Sequence, residues 1–283
     1  MVTALRSLCV SSGRRRLVDE VSLTLNPASR TALVGCSGAG KSLTCAALAG
    51  TLPPGLTATG SLTVSLPRDE SGATTPPPRA PNLLGLPAAM RPRGSRIALV
   101  PQDPTASLHP LITVGRQVAL AAVATGLTDD EARARATQML DAVGLDEAVG
   151  TRVPGRLSGG QRQRACLALA LAGKPALILA DEPTTALDVI ARARILRLLT
   201  DLTDSPTAPA LLFITHDLPA ATICETIAVL SEGKVVETGP TRQVLSNPAH
   251  PVTAAMRDAA ADETLDGALA AVELHDAVDG AAA

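Results

Sequence analysis

Aromatic side chains are almost missing from this 283-residue chain, which has no tryptophan, no tyrosine and one phenylalanine, Phe213. Proteins that bind single-stranded nucleic acid stack the bases on aromatic side chains. The formal net charge is −2, so no basic field attracts a polyanion either. No nucleic acid is therefore expected as a partner.

Paired cysteines and long apolar runs are also lacking. The five cysteines show no C-x-x-C spacing, which predicts a reduced, cytosolic chain; they are Cys9, Cys36, Cys45, Cys166 and Cys224. No apolar run reaches about eighteen residues, so no transmembrane helix is expected. The basic Arg14–Arg16 follows the first apolar residues, the reverse of the order in a signal peptide, so no secretory leader is expected. Such a chain would act at a membrane by docking on other subunits.

A glycine-rich stretch, GCSGAGKS, follows a predicted buried strand at 31–34 and precedes a predicted helix at 43–49. This strand–loop–helix context is typical of a phosphate-binding loop, in which glycines let backbone N–H groups face phosphate oxygens. Lys41 would reach the β- and γ-phosphates, and the Ser42 hydroxyl would bind Mg²⁺. The predicted nucleotide contacts are Gly35, Cys36, Ser37, Gly38, Ala39, Gly40, Lys41, Ser42 and Leu43. The alternative is a glycine-rich turn without a ligand.

Two carboxylates follow the apolar run 176–180, which is short enough for a central parallel strand. Asp181 and Glu182 would therefore lie at the carboxyl edge of the sheet, where α/β proteins bind ligands. Phosphoryl transfer depends on positioning and charge stabilisation, so one carboxylate for a metal and one for a water molecule would suffice. The alternative is a solvated strand end.

A second anion-binding stretch without a lysine is LSGGQ, Leu157–Gln161. Ser158 is a suitable N-cap for the helix that follows, and the glycines allow a phosphate to approach the backbone. Two half-sites in one chain suggest two chains that share two nucleotides. A plain helix cap is the alternative.

With GCSGAGKS, LSGGQRQR, ALILADEP and THD all present, the chain resembles the ATP-binding cassette ATPases from about Val2 to about Thr253. The resemblance implies ATP and Mg²⁺ as cofactors. Asp181 would hold the metal through water, and Glu182 would polarise the attacking water. Gln102 would sense both metal and water, and His216 would contact the γ-phosphate.

The resemblance also implies a two-fold dimer. Ser158, Gly159, Gly160 and Gln161 would contact the nucleotide bound by Lys41 of the other subunit, and Asp188 lies in the stretch expected to cross the interface.

The fold implied by this resemblance is α/β: a P-loop NTPase (RecA-like) core with an N-terminal antiparallel β subdomain and a helical insert subdomain. The ATPase domain would span 1–253, with its core at 1–101 and 173–250, the helical subdomain at about 102–172, and a tail at 254–283. Helices are predicted at 114–124, 129–143, 160–172 and 189–202, with a capping box at Thr128 and Glu131. Short strands are expected before residue 34, and an exposed proline-rich loop at 67–95.

One departure concerns the base. Ser12 stands where many relatives have an aromatic residue that stacks on adenine. This predicts looser base recognition, with the phosphates providing more of the affinity.

The stretches 102–110 and 247–253 resemble peptide and nickel importer ATPases, and 42–47 and 193–196 resemble the nickel-importer subunit in particular. This implies a peripheral protein at the cytoplasmic face of the membrane that energises uptake of nickel or di/oligopeptides. Its partners would be two transmembrane permease subunits, a solute-binding protein indirectly, and a second copy or a paralogous ATPase. No cysteine follows Cys224, so no iron–sulfur cluster is expected.

Two other functions fit part of the pattern. A soluble cassette ATPase could act on DNA or ribosomes, but neither a long coiled-coil insert nor a second cassette is present. A P-loop kinase or GTPase has no use for LSGGQ, and no N-K-x-D base-reading motif follows.

Overall fold

The computed structural model describes residues 2–65, 80–92, 95–185 and 187–262. The strands in this part of the chain are β1 (Val2–Ser12), β2 (Arg15–Leu25), β3 (Arg30–Val34), β4 (Leu56–Ser65), β5 (Ile97–Val100), β6 (Leu177–Asp181), β7 (Ala210–Thr215), β8 (Thr226–Ser231) and β9 (Lys234–Pro240). The helices are α1 (Lys41–Ala49), α2 (Val114–Val123), α3 (Asp129–Ala142), α4 (Glu147–Gly150), α5 (Gly159–Ala172), α6 (Val189–Leu202), α7 (Leu218–Ala221) and α8 (Thr241–Ser246). Residues 251–262 are also helical.

The larger sheet has the strand order β5-β6-β7-β3-β8-β9. The first five strands run parallel, and β9 pairs antiparallel with β8. Strands buried on both faces are continuous apolar runs, and β7 (ALLFIT) is buried at every residue. Phe213 lies in the middle of β7 with no exposed surface. The carboxyl ends of β3, β5, β6 and β7 therefore meet along one edge of a rigid sheet.

The smaller sheet is antiparallel in the order β2-β1-β4. The prediction of short strands is wrong here, because β1 and β2 are each 11 residues long. Register shifts interrupt their pairing, and Ser7 and Glu20 take positive φ values of 47° and 55°. Bulges of this kind break the strict alternation of apolar and polar residues, so the sequence pattern hides the length of the strands.

Helices α2, α3 and α5 pack together into a layer of their own, with Val118, Ala136 and Ala168 in the shared core. The bounds predicted for these helices agree with the structure to within one residue, and those for α6 agree at both ends. Thr128 and Glu131 form the predicted capping box at the start of α3.

The proline-rich stretch was expected to be an exposed loop. Residues 66–79 and 93–94 lie outside the described residues, and most of the remainder is exposed as expected. The expectation is wrong at four buried residues, Leu83, Leu84, Arg91 and Ser95. Leu83 is fully buried, and its N–H donates to the Leu62 carbonyl of β4 at 2.7 Å. Arg91 is only 6% exposed, and its guanidinium donates to the Leu48 carbonyl near the end of α1. The described part of the segment packs beside α1 and β4 and contains a 3-10 turn at Ala88–Met90.

Candidate active site

The predicted phosphate loop joins the end of β3 to the start of α1. A Cβ atom on Gly35 would overlap the Leu230 carbonyl oxygen, so no larger residue fits there. Gly38 and Gly40 have φ values of 80° and 104°, which L-residues with side chains rarely adopt. Because α1 begins at Lys41, the unpaired N–H groups of its first turn and its positive dipole end lie at the loop.

Lys41 is 7% exposed, and its ammonium group lies against the loop itself. Nζ donates to the Gly35 carbonyl at 2.6 Å and to the Cys36 carbonyl at 3.1 Å. The charge is therefore held at the loop, within reach of any phosphate bound there.

Asp181 is the last residue of β6, and its Oδ1 atom is buried without a hydrogen-bond partner. Burial, and then the neighbouring Glu182 carboxylate, raise the pKa of Asp181, while Lys41 and a hydrogen bond from Ser42 act in the opposite direction. A buried, underpaired carboxylate next to a serine hydroxyl is a donor set that suits a hard divalent cation. Asp181 and Ser42 thus fit the magnesium ion that the sequence predicts.

Three side chains from different parts of the chain lie within hydrogen-bond distance of the Glu182 carboxylate. Its Oε1 atom lies 3.0 Å from His216 Nδ1, which follows β7. Its Oε2 atom accepts from Gln102 Nε2 at 3.2 Å and from the Thr185 hydroxyl at 3.1 Å. The structure thus brings together the three residues predicted to be catalytic, Gln102, Glu182 and His216, and it adds Thr185. The sequence placed Thr185 only in the stretch 184–188 expected to cross the interface and gave no sign of its contact with Glu182, because only the turn after Glu182 brings its hydroxyl back to the carboxylate.

The backbone at Glu182 has a φ of 46°, a conformation that costs energy in a residue with a side chain. It is fixed because the Glu182 N–H donates to the Ile214 carbonyl of β7 at 2.9 Å. The side chain of His216 is 61% exposed, and that of Glu182 17%. Glu182 is therefore firmly positioned at the carboxyl edge of the sheet while its partner His216 faces solvent.

The predicted second half-site caps α5. Ser158 Oγ accepts from the Gln161 N–H at 3.2 Å, and the Gln161 side chain accepts from the Ser158 N–H at 3.0 Å. Asp188 caps α6 by accepting from the Ala191 N–H at 2.8 Å, and a Cβ on Gly160 would lie 3.9 Å from the Cβ of Ala191. Across the described residues, no hydrogen bond joins this half-site to the phosphate loop of the same chain.

These features define a phosphate-loop nucleoside triphosphatase: a glycine loop with a buried lysine, a carboxylate suited to a cation and a second carboxylate held by three side chains. Comparison with known proteins assigns the chain to one family within this class. The family model described as "ABC transporter" matches residues 18–185, and the chain belongs to this family. It is an ATP-binding cassette ATPase.

The relatives and solved structures agree with this assignment. The chain is 39% identical over 244 residues to a protein of Brucella melitensis biotype 1 that is provisionally named a peptide import ATP-binding protein. The matched region covers 83% of this chain and 69% of the relative. It is 40% identical over 240 residues to the peptidoglycan transport ATP-binding protein YejF of Agrobacterium fabrum, covering 83% of this chain but only 42% of the relative, less than half of its length.

A dimeric ATP-binding cassette solved in a post-hydrolysis state with ADP and phosphate superposes with a TM-score of 0.66 at 27% identity, covering 86% of this chain and 99% of the other. The cbiO1 structure from Clostridium perfringens, part of the ABC transporter complex cbiONQ, shares the fold with a TM-score of 0.67 at 23% identity, covering 87% and 90%.

Within the described residues, no helix combines the length and the apolar character needed to cross a bilayer.

Proposed function

We propose that this chain is the ATP-hydrolysing subunit of an importer for di- or oligopeptides, with nickel as the second candidate cargo. The observation that carries the hydrolytic part is the placement of Glu182, whose two oxygens are held by Gln102, Thr185 and His216. Peptides are placed first because relatives from several Brucella species carry peptide-import names. Nickel rests on the likeness of the stretches 42–47 and 193–196.

In the proposed reaction, Lys41 exchanges its two loop carbonyls for the β- and γ-phosphate oxygens of ATP. Glu182 accepts a hydrogen bond from the attacking water and orients it towards the γ-phosphorus. Gln102 and His216 hold the carboxylate and contact the water and the γ-phosphate. Asp181, Ser42 and Gln102 would hold Mg²⁺, which neutralises developing charge on the phosphates when bound.

The proposed assembly is a dimer in which each nucleotide lies between two chains. Its basis is the separation of the two half-sites within one chain: Ser158–Gln161 caps α5, while Lys41 and Glu182 lie at the carboxyl edge of the large sheet. A second copy of this chain carries both halves and would complete both sites. A paralogous ATPase could take its place.

Docking to two membrane subunits would use the boundary between the core and the helical layer. A cleft of about 530 Å³ lies there, lined in part by Arg91, Leu99, Ala121 and Leu169. Met90, next to Arg91, is 73% exposed, a large apolar side chain without cover from the described part of this chain. We place a short helix of each permease in this cleft, which would put the ATPase at the cytoplasmic membrane face and link it to a solute-binding protein only indirectly.

Uptake measurements in cells test the proposal. Cells that carry wild type, Glu182→Gln or the control Glu147→Gln are given a labelled dipeptide and, separately, radiolabelled nickel. Glu147 is an exposed residue of α4, so its substitution removes the same charge away from the site. We expect the Glu182 variant alone to lose dipeptide uptake. Loss of nickel uptake instead would assign the second cargo, and unchanged uptake of both would contradict the importer function and favour a soluble ATPase.

A further inference from the structure

The sheet order fixes which way a bound nucleotide points. Gln102, Glu182 and His216 follow β5, β6 and β7, which lie on one side of β3 and its phosphate loop. Hydrolysis at Glu182 therefore places the terminal phosphate on that side. Because the nucleotide is extended, its base must lie on the opposite side of the loop, towards β8 and β9.

The β1–β2 hairpin reaches the phosphate loop on this opposite side. Gly233, in the turn between β8 and β9, donates its N–H to the Ala39 carbonyl at 3.0 Å, and its own carbonyl accepts from the Asp19 N–H at 2.8 Å. A Cβ on Gly40 would lie 3.2 Å from Val18 Cγ2 and 3.3 Å from the Leu17 carbonyl oxygen. The tip of the hairpin, residues 12–16, therefore lies next to the region in which the base must lie.

The pairing of β1 with β2 determines which side chain of the tip faces the loop. Val10 pairs with Val18, and both are fully buried on the face turned to Gly40. A register shift follows, after which Ser12 pairs with Arg15. Ser12 lies two residues beyond Val10 in β1, so it continues the same face, and its cross-strand partner Arg15 continues it too.

The three consecutive arginines 14–16 differ in the face of the hairpin on which they lie and in their side-chain partners. Arg16 pairs with Ser11 on the other face, where its guanidinium donates to Asp19 Oδ1 at 2.6 Å. Asp19 also lies 3.4 Å from Lys234, so this arginine is part of a surface ion-pair group. Arg14 lies in the turn itself. Arg15 is exposed, and its side chain makes no hydrogen bond or ion pair with any described residue, so its guanidinium is free to meet a ligand.

We infer that Arg15 stacks its guanidinium plane on the nucleotide base, in the role for which this chain has no aromatic residue. A guanidinium is planar and weakly hydrated, so it stacks on aromatic rings, whereas an ammonium does not present a plane. Every base has a π-face, so such a contact accepts adenine and guanine alike. The inference rests on the proposed ATP hydrolysis at the phosphate loop and extends it to the recognition of the base.

The chain offers a background-free spectroscopic test, because it contains no tryptophan or tyrosine. In Arg15→Trp the only tryptophan would lie under the base. We expect ADP to quench or shift its emission and inorganic tripolyphosphate to leave the emission unchanged. Arg14→Trp, one residue away in the turn, is the matched control and should respond weakly to either ligand. An equal response of both variants to ADP, or a response to tripolyphosphate equal to that to ADP, would overturn the inference.

Affinities of ADP, GDP and tripolyphosphate, measured by displacement of a fluorescent ADP, distinguish a stacking contribution of Arg15 from a contribution of its charge. Arg15→Ala should weaken binding of ADP and GDP by about tenfold, since one base–side-chain stack contributes this much, and should change tripolyphosphate binding little. Arg15→Lys, which keeps the charge, should resemble Arg15→Ala, and Arg14→Ala should resemble wild type. Equal weakening of tripolyphosphate, or wild-type ADP affinity in Arg15→Lys, would overturn the stacking role. A wild-type chain that binds neither ADP nor tripolyphosphate would instead refute the proposed function.

Discussion

Glu182 and Asp181 are adjacent in the chain but have opposite environments. Glu182 is surrounded by donors, whereas Asp181 has a buried oxygen with no partner. The burial of Asp181 raises its pKa, so its charged form costs energy in the folded protein without a bound cation. A site that binds a metal here must tolerate this cost between catalytic cycles.

Removing the charge of Asp181 should remove this cost. Asp181→Asn should stabilise the protein at neutral pH in the absence of nucleotide and metal by about 1 kcal/mol, a rise in Tm of roughly 2 °C, and should strongly reduce hydrolysis. Because the folded-state pKa is raised, wild type escapes the cost when the carboxyl is protonated. The difference in Tm should therefore shrink as the pH falls towards about 4 and the carboxyl protonates. Thermal scans across pH measure this; a variant less stable than wild type at neutral pH would contradict it.

The ammonium group of Lys41 is held at the loop by two carbonyls. Lys41→Ala should abolish ATP binding, because the loop loses the charge that reaches the β- and γ-phosphates. Lys174→Ala, which removes a lysine after α5, is the matched control and should bind as wild type does. Equilibrium binding of a labelled ATP analogue provides the measurement. Near wild-type affinity in Lys41→Ala would rule out the assigned role.

Helix α5 begins with a capping box, and so does α3, which gives the chain an internal comparison. Ser158 and Gln161 cap α5 as Thr128 and Glu131 cap α3. Within their own helices the two caps make the same pair of capping-box hydrogen bonds. If substitution of Ser158 lowers ATP turnover and substitution of Thr128 does not, the difference comes from contacts of Ser158 outside its own helix.

The same substitution at the two caps should therefore have different effects on activity. Ser158→Arg and Thr128→Arg should each cost about 1 kcal/mol of stability through loss of a cap. Only Ser158→Arg should stop ATP turnover, because Ser158 is proposed to meet the nucleotide of the other subunit, and ATP binding to the chain should remain. Turnover, ATP affinity and thermal stability are measured on both variants. Normal turnover in Ser158→Arg would remove the shared site.

Much of the architecture could be predicted at the level of elements. Helices α3, α5 and α6 begin at side-chain caps, so their bounds follow from local rules. The lengths of β1 and β2 are harder to predict from the sequence, because the bulges at Ser7 and Glu20 break the alternation of apolar and polar residues. Strand β4 and the burial of Leu83 could not be predicted, since both depend on contacts that no local pattern records.

The residues of the candidate site also fall into some that the sequence could predict and some that it could not. Asp181, Glu182 and the phosphate loop could be found because they follow apolar strands in a fixed order. Their partners could not be found from periodicity. Thr185 reaches Glu182 only through the turn that follows the strand, and Arg15 faces the loop only because of a register shift in the β1–β2 pair.

In the proposed dimer, each nucleotide site combines Lys41 of one chain with Ser158 of the other, so two different inactive chains can complement each other. A mixture of Lys41→Ala and Ser158→Arg chains should regain hydrolysis, although each chain alone is inactive. In the mixed dimer, the phosphate loop of the Ser158 variant meets the intact Ser158 of its partner, so one of the two sites is complete. Phosphate release from the mixture, compared with each variant alone at the same total concentration, measures this. A mixture as inactive as its parts would contradict sites shared between two copies.

The measurement that tests the proposed mechanism most directly is ATP turnover and molecular mass of Glu182→Gln against wild type. The glutamine side chain keeps the size of the glutamate and leaves the phosphate loop and Asp181 intact, but it cannot polarise a water molecule as a carboxylate does. Phosphate release should fall by about 100-fold or more while ATP binding is retained, and light scattering with ATP and Mg²⁺ should show twice the mass of one chain. Turnover within a few-fold of wild type, with one-chain mass at all ATP concentrations, would contradict the role of Glu182 and the closed dimer that ATP holds together.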